Sequence, residues 1–163
     1  MQIRPAEPTE LDLLAKLWYD AWQDAHARIL PEALARLRTL ENFRERLKSD
    51  LAHVRVAGAP GAPVGFCIAK EDELYQLFVS AAARGTGSAA ALLVDGEARL
   101  AANGVAIAWL ACAIGNERAA RFYEKHGWRR IGTMVNRLDT PDGTFPLEAW
   151  RYEKVLSSPG ASP

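Results

Sequence analysis

The stretch Val79-Ser80-Ala81-Ala82-Ala83-Arg84-Gly85-Thr86-Gly87-Ser88-Ala89 decides the fold. Before it, Glu73 to Val79 is rich in β-formers and reads as a strand. Within it, Arg84 begins a glycine-rich approach to a helix rich in alanine and leucine, which runs to Ala101 and stops at Asn103-Gly104. A strand, a loop of small residues and a helix therefore follow one another. Two glycines let the backbone curl so that several N–H groups face one concavity, and the helix N-terminus adds roughly half a positive charge. Such a concavity suits a phosphate or pyrophosphate. Gly87 and Ala89 leave room for an anion to approach.

Three readings of the loop compete. A Walker A loop fails, because no Lys-Ser or Lys-Thr follows the second glycine. The dinucleotide fingerprint is formally met by Gly85, Gly87 and Ala90. However, the strand ends six residues before Gly85, and Cys112 stands where an acidic residue is wanted. The third reading is a turn before a helix, with no ligand.

Working toward the N-terminus, Gln2-Ile3-Arg4 reads as a first strand. Thr9 and Asp12 resemble a capping box, and Leu11, Leu14, Ala15, Trp18, Ala21, Trp22 and Ala25 recur at helical spacing. A break falls at Ile29-Leu30-Pro31. Thr39 opens a second helix, with Leu40, Phe43, Leu47 and Leu51 on one face. His53 to Ala57 and Val64 to Lys70 alternate as strands around the turn Gly58 to Pro63. Toward the C-terminus, Val105 to Cys112 is almost wholly apolar, as in a central strand covered on both faces. Asn116 caps a helix ending near Gly127. Trp128 to Val135 and Leu147 to Val155 read as strands about the turn Thr140-Pro141-Asp142-Gly143.

The order predicts an α/β (α+β) protein with a mixed, mainly antiparallel, twisted sheet and helices on both faces. The 163 residues fit one domain over residues 1–156, followed by a Ser/Pro/Gly tail at 157–163 expected to be disordered. Lys+Arg and Asp+Glu are 20 each, and this balance argues against a protein that coats nucleic acid. Neither a secretory signal nor an apolar run of membrane-spanning length is visible, so a cytoplasmic protein without a membrane partner is expected. Cys67 and Cys112 are too few for a disulfide framework and read as buried thiols, while His26, His53 and His126 are scattered. No metal is expected.

The loop is not alone. Its Arg84, Gly87 and Ala89 resemble the Q/R-x-x-G-x-G/A coenzyme A-binding motif of the GNAT superfamily of N-acetyltransferases, with Ala81 where many members have proline. Asn116 to Trp128 resembles that family's N-x-x-A-x-x-F-Y-x-x-x-G-F segment, with Trp128 as the last aromatic. The element order agrees from about Gln2 to Val155, and a GNAT-like sheet of about seven strands is the fold the resemblance implies.

The resemblance also implies a chemistry. Acetyl-CoA would be the co-substrate, its pyrophosphate on Arg84, Gly85, Thr86, Gly87, Ser88 and Ala89. Its pantetheine arm would pair with backbone at Leu77, Phe78 and Val79, and Asn116 would contact that arm. A backbone N–H there would polarise the thioester carbonyl, and losing one such donor typically costs about 2.7–4 kcal/mol. Tyr123 matches the family's general acid, which protonates the departing thiolate. Glu73 stands where histone-type members carry a glutamate base. Ala111 occupies the position from which ribosomal-protein acetyltransferases take theirs, and an ordered water is the other route. Tyr19, Asp24, His26 and Tyr75 are candidates for the acceptor pocket; the acceptor would be a small amine or a peptide. The leading reading is direct N-acetyl transfer in a ternary complex. A different acyl donor, an O-acceptor, or a non-catalytic acyl-CoA-binding sensor or partner-binding module on the same fold are the alternatives. The last two strands leave edges that relatives often pair into homodimers.

Overall fold

The computed structural model describes residues 2–156, so the expectation for the tail lies outside the described residues. Seven strands form one sheet: β1 (Ile3–Pro5), β2 (Val54–Ala57), β3 (Gly65–Lys70), β4 (Glu73–Val79), β5 (Ile107–Ala113), β6 (Arg129–Thr140) and β7 (Gly143–Val155). Their spatial order is β1-β2-β3-β4-β5-β7-β6. All neighbours are antiparallel except β4 and β5, which are parallel. The short links between β2, β3 and β4 force hairpins, and the connection through α4 (Ser88–Ala102) is long enough for the parallel crossover from β4 to β5.

The helices are α1 (Leu11–His26), α2 (Glu32–Leu37), α3 (Leu40–Ser49), α4 (Ser88–Ala102) and α5 (Glu117–Lys125). On one face, Leu14, Trp18 and Trp22 of α1 and Phe43 and Leu47 of α3 pack against Val54, Val56, Phe66 and Ile68. On the other, Leu92, Leu93 and Leu100 of α4 pack with Cys67, Leu74, Ala108, Leu110 and Cys112. Phe66 and Cys67 thus point to opposite faces, as strand alternation requires. Both cysteines are free and buried, and burial pushes each thiol up to about 12. Gly96 lets α4 sit close to the sheet: a Cβ there would meet Leu74 Cδ1 at 2.9 Å and Cys67 Sγ at 3.1 Å.

Several local expectations are corrected. The first helix is not started by Thr9 and Asp12. A 3-10 turn at Pro8–Glu10 precedes it, and the Glu10 carboxylate accepts from the Glu7 N–H at 3.3 Å while Arg4 neutralises it at 2.7 Å. The break at Pro31 contains α2, a helix too short for periodicity to reveal. Leu40 is exposed, although Thr39 does cap α3 by accepting from the Asn42 N–H at 3.0 Å. Strand β5 is not covered on both faces: Ala108, Leu110 and Cys112 are buried, while Trp109, Ala111 and Ala113 are half-buried. The last two strands are much longer than their apolar cores and form one hairpin through Pro141-Asp142.

Candidate active site

The site follows from how weakly β4 and β5 are joined. Strand β5 pairs with β7 along its whole length, from Ile107↔Val155 to Ala113↔Ala149. With β4 it shares one bridge, Glu73↔Trp109, fastened by the Trp109 N–H on the Asp72 carbonyl (3.1 Å) and Trp109 Nε1 on the Asp72 carboxylate (3.0 Å). Beyond this apex the strands diverge. A bulge helps to part them: Leu74 pairs with Ala69 and Gln76 with Ile68, which leaves Tyr75 without a partner on β3. Backbone groups of β4 that face β5 past Glu73 are therefore open to an extended ligand.

Two cavities meet in this slot. The larger, about 470 Å³, is lined by Leu77, Phe78, Val79, Arg84, Gly85, Gly87, Ala89 and Asn116 among others. Gly85 (φ 78°) and Gly87 (φ 88°) are both left-handed, and a Cβ on either would point into open space. Within the loop, the Arg84 and Thr86 N–H groups donate to the Ala81 and Ala83 carbonyls. The N–H groups of Gly85, Gly87 and the first turn of α4 have no backbone partner among the described residues. Thr86 and Ser88 do not line the cavity; their hydroxyls pair with each other at 2.8 Å, and Ser88 is buried. The loop thus fits an anion, and Arg118, Lys125 and His126 add polar and cationic groups at its rim, which the sequence reading did not single out.

The second cavity, about 140 Å³, is lined by Glu73, Tyr75, Leu77, His26, Ala111, Asn116 and Tyr123, and by residues of α2, α3 and the β6–β7 hairpin. Asn116, Tyr123, Leu77, Phe78 and Ala119 line both cavities and mark where they join. Asn116 caps α5 by accepting from the Ala119 N–H at 3.3 Å. Tyr123 packs edge-on against Phe122 and Trp128, with ring centroids 5.4 Å and 6.2 Å away. Burial raises its phenol well above the ordinary value, so the hydroxyl stays protonated. Burial likewise pushes the Glu73 carboxyl up to about 7, with Asp72 adding to the rise and Lys70 and Arg151 opposing it. His26 is driven down to about 4 by burial and is neutral. Its Nδ1 is buried without a hydrogen-bond partner among the described residues.

Two of the acceptor candidates lie away from the smaller cavity. Tyr19 lines neither cavity; it packs against the first core cluster, edge-on to Phe43 at 6.2 Å. Asp24 is exposed and ion-paired with Arg84, with Arg118 at 3.8 Å, so it lies at the glycine loop instead of in the smaller cavity. The guanidinium of Arg84 holds its carboxyl below the usual range. Tyr75 and His26 line the smaller cavity. The sequence reading missed Arg38 and Arg46 there. Both look like ordinary surface charges in a basic stretch, and the short α2 that carries the chain to Arg38 leaves no periodic signal.

Comparison with known proteins agrees with this geometry. The family described as "Acetyltransferase (GNAT) domain" matches residues 23–138. An uncharacterized N-acetyltransferase of Mycobacterium tuberculosis is 34% identical over 101 residues, which are 59% of this chain and 65% of that protein. The chain therefore spans just under two thirds of that relative's length. Among solved structures, a GCN5-related N-acetyltransferase from Rhodopseudomonas palustris superposes with a TM-score of 0.74 at 22% identity, over 94% of each chain. The PaiA N-acetyltransferase of Thermoplasma acidophilum, in complex with coenzyme A, gives 0.67 at 20% identity, over 94% of this chain and 98% of that one. Among the described residues no helix is long and apolar enough to cross a membrane.

Proposed function

The chain belongs to the GNAT acetyltransferase family, and from that premise we propose that it transfers the acetyl group of acetyl-CoA to an amine by direct attack. One observation carries this reading. A protonated phenol at Tyr123 and a carboxyl at Glu73 raised to about 7 line one cavity, and that cavity opens onto an anion-binding loop through the slot between β4 and β5.

Acetyl-CoA, when bound, supplies an activated thioester. The free N–H groups of Gly85, Gly87 and the first turn of α4 would hold its pyrophosphate, aided by the α4 dipole and by Arg84, Arg118 and Lys125. The β4 backbone at Leu77 to Val79 would pair with the arm, and an N–H of the same strand edge would stabilise charge on the carbonyl oxygen. Glu73 receives a proton from the incoming ammonium, whose pKa near 10 otherwise leaves little free amine at neutral pH. As the N–C bond forms and the C–S bond breaks, Tyr123 delivers its hydroxyl proton to the departing sulfur, and the second proton that the nitrogen sheds restores the Tyr123 phenol.

The test is a panel of amines (polyamines, aminoglycosides, amino acids and peptide N-termini) incubated with acetyl-CoA and read out by released thiol. Acetylated product from at least one class is expected. Thiol release without any acetylated amine would refute amine transfer.

A further inference from the structure

The acceptor cavity holds two cations that the proton transfers do not use. Arg38, just after α2, is 2% exposed, and Arg46 lies half-buried on α3; both line the cavity. The oxygens they bond are neutral. Arg38 Nη1 donates to Asn42 Oδ1 at 3.0 Å and to the Asp139 carbonyl at 2.8 Å. Arg46 Nη2 donates to the Tyr75 hydroxyl at 2.9 Å, and its guanidinium lies 4.3 Å over the Trp18 ring. Among the described residues neither arginine forms a salt bridge, whereas Arg4, Arg55 and Arg84 all do.

This pattern is unusual for a buried charge. Removing a guanidinium from water is costly, and buried arginines are ordinarily matched by a carboxylate. Here the two cations also repel each other, because Arg46 acts with burial to pull Arg38 down to about 10. Two acids could serve as counter-charge. Asp139 acts on Arg38 from the exposed hairpin without forming an ion pair. Glu73 shares the cavity, but the charges acting on it are Lys70, Asp72, Arg151 and Glu71. The neutral His26 adds none. The Nε and Nη2 of Arg38 and the Nε and Nη1 of Arg46 have no hydrogen-bond partner among the described residues, and both side chains line one cavity.

We propose that the acceptor is an amine bearing a carboxylate, which Arg38 and Arg46 grip while its amine faces Glu73. The inference rests on the acetyl-transfer reading above. Guanidinium forks match carboxylates in a planar, bidentate geometry, which fixes orientation as well as charge. Tyr75 links the clamp to the base: it accepts from Arg46 and lies two residues from Glu73 on β4, roughly 7 Å along a strand. The cavity that holds both groups is compact, at about 140 Å³. Leu34, Leu138 and Leu147 give it an apolar wall for the rest of the molecule.

The experiment pairs each amino acid with its decarboxylated amine and its carboxamide, at saturating acetyl-CoA, with phosphoethanolamine as a separate arm. The amino acids should be favoured in kcat/KM by about tenfold or more, the fold-change of one charge-assisted hydrogen bond. Arg46→Gln should raise KM for amino acids and cost them about tenfold more in kcat/KM than it costs the decarboxylated amines, since only the former use the fork. Calorimetry should show an N-acetyl amino acid binding the protein with CoA more tightly than the matching N-acetyl amine, and Arg46→Gln should abolish the difference. Equal or better use of decarboxylated amines, an equal loss on both series, acetylation of neither, or preference for phosphoethanolamine would each overturn the carboxylate assignment. Circular dichroism of Arg46→Gln excludes unfolding as the cause. Failure of acetyl-CoA to bind would instead remove the acetyl-transfer reading on which the inference stands.

Discussion

Replacing Glu73 by Gln separates base catalysis from mere packing. The carboxyl is raised to about 7 because burial disfavours its charged form. As a base it must be ionised, so only about a tenth is active at pH 6 and about nine tenths at pH 8. With an amine acceptor of pKa near 10, kcat/KM should rise through about 7, hold a plateau, and fall as the ammonium is lost. In Glu73→Gln the limb at 7 disappears. The rate then follows the free amine and climbs toward pH 10, and at pH 7 it is about 10²–10⁴-fold below the parent. Stability gives a second readout. A carboxyl raised by folding stabilises fully below the unfolded value of 4.5, and that contribution is lost as pH rises through about 7. Gln never ionises, so the variant should lose less stability between pH 5 and 8 than the parent. The assays are initial rates from pH 5.5 to 10 and thermal unfolding over the same range. A variant that keeps the limb at 7, with an undiminished rate, would refute the assignment.

Three further outcomes follow from the site. Tyr123→Phe keeps the ring packed between Phe122 and Trp128, so acetyl-CoA affinity measured by calorimetry should hold while turnover falls about 10²-fold or more. Gly87→Ala forces a side chain into φ 88° and into the cradle; denaturant unfolding should show a loss of about 1–2 kcal/mol, and acetyl-CoA should bind more weakly. Asp24→Asn releases Arg84 and Arg118 from their ion pairs and removes a negative charge from the anion loop; acetyl-CoA should bind a few-fold more tightly at low salt, with the gain fading as salt screens it.

The parts legible in the sequence were those governed by local rules. Strand β4 ends at Val79 as read, because β-branched and aromatic residues give way there to small ones. Thr39 and Asn116 cap their helices as their side chains dictate. The β2–β3 and β3–β4 hairpins follow from their short links, whereas a sheet of about seven strands was what the family resemblance implied. The rest depended on long-range geometry. The apolar run of β5 suggested cover on both faces, but its second face lines the acceptor cavity, and apolar residues read alike in both settings. Tyr19 looked like a pocket aromatic, yet helix α1 turns it onto Phe43. Arg38 gave no signal at all. Its burial arises only when the β6–β7 hairpin brings the Asp139 carbonyl across a separation of 101 residues.

Thermal unfolding with added acetyl-CoA tests the central claim most directly, because it needs no acceptor. A ligand that binds only the folded chain raises its stability by about 2.7 kcal/mol at a hundred times Kd. The cradle of Gly85, Gly87 and the first turn of α4 predicts a saturable rise in Tm with acetyl-CoA, and a smaller rise in Gly87→Ala. An unchanged Tm at millimolar acetyl-CoA would contradict the account.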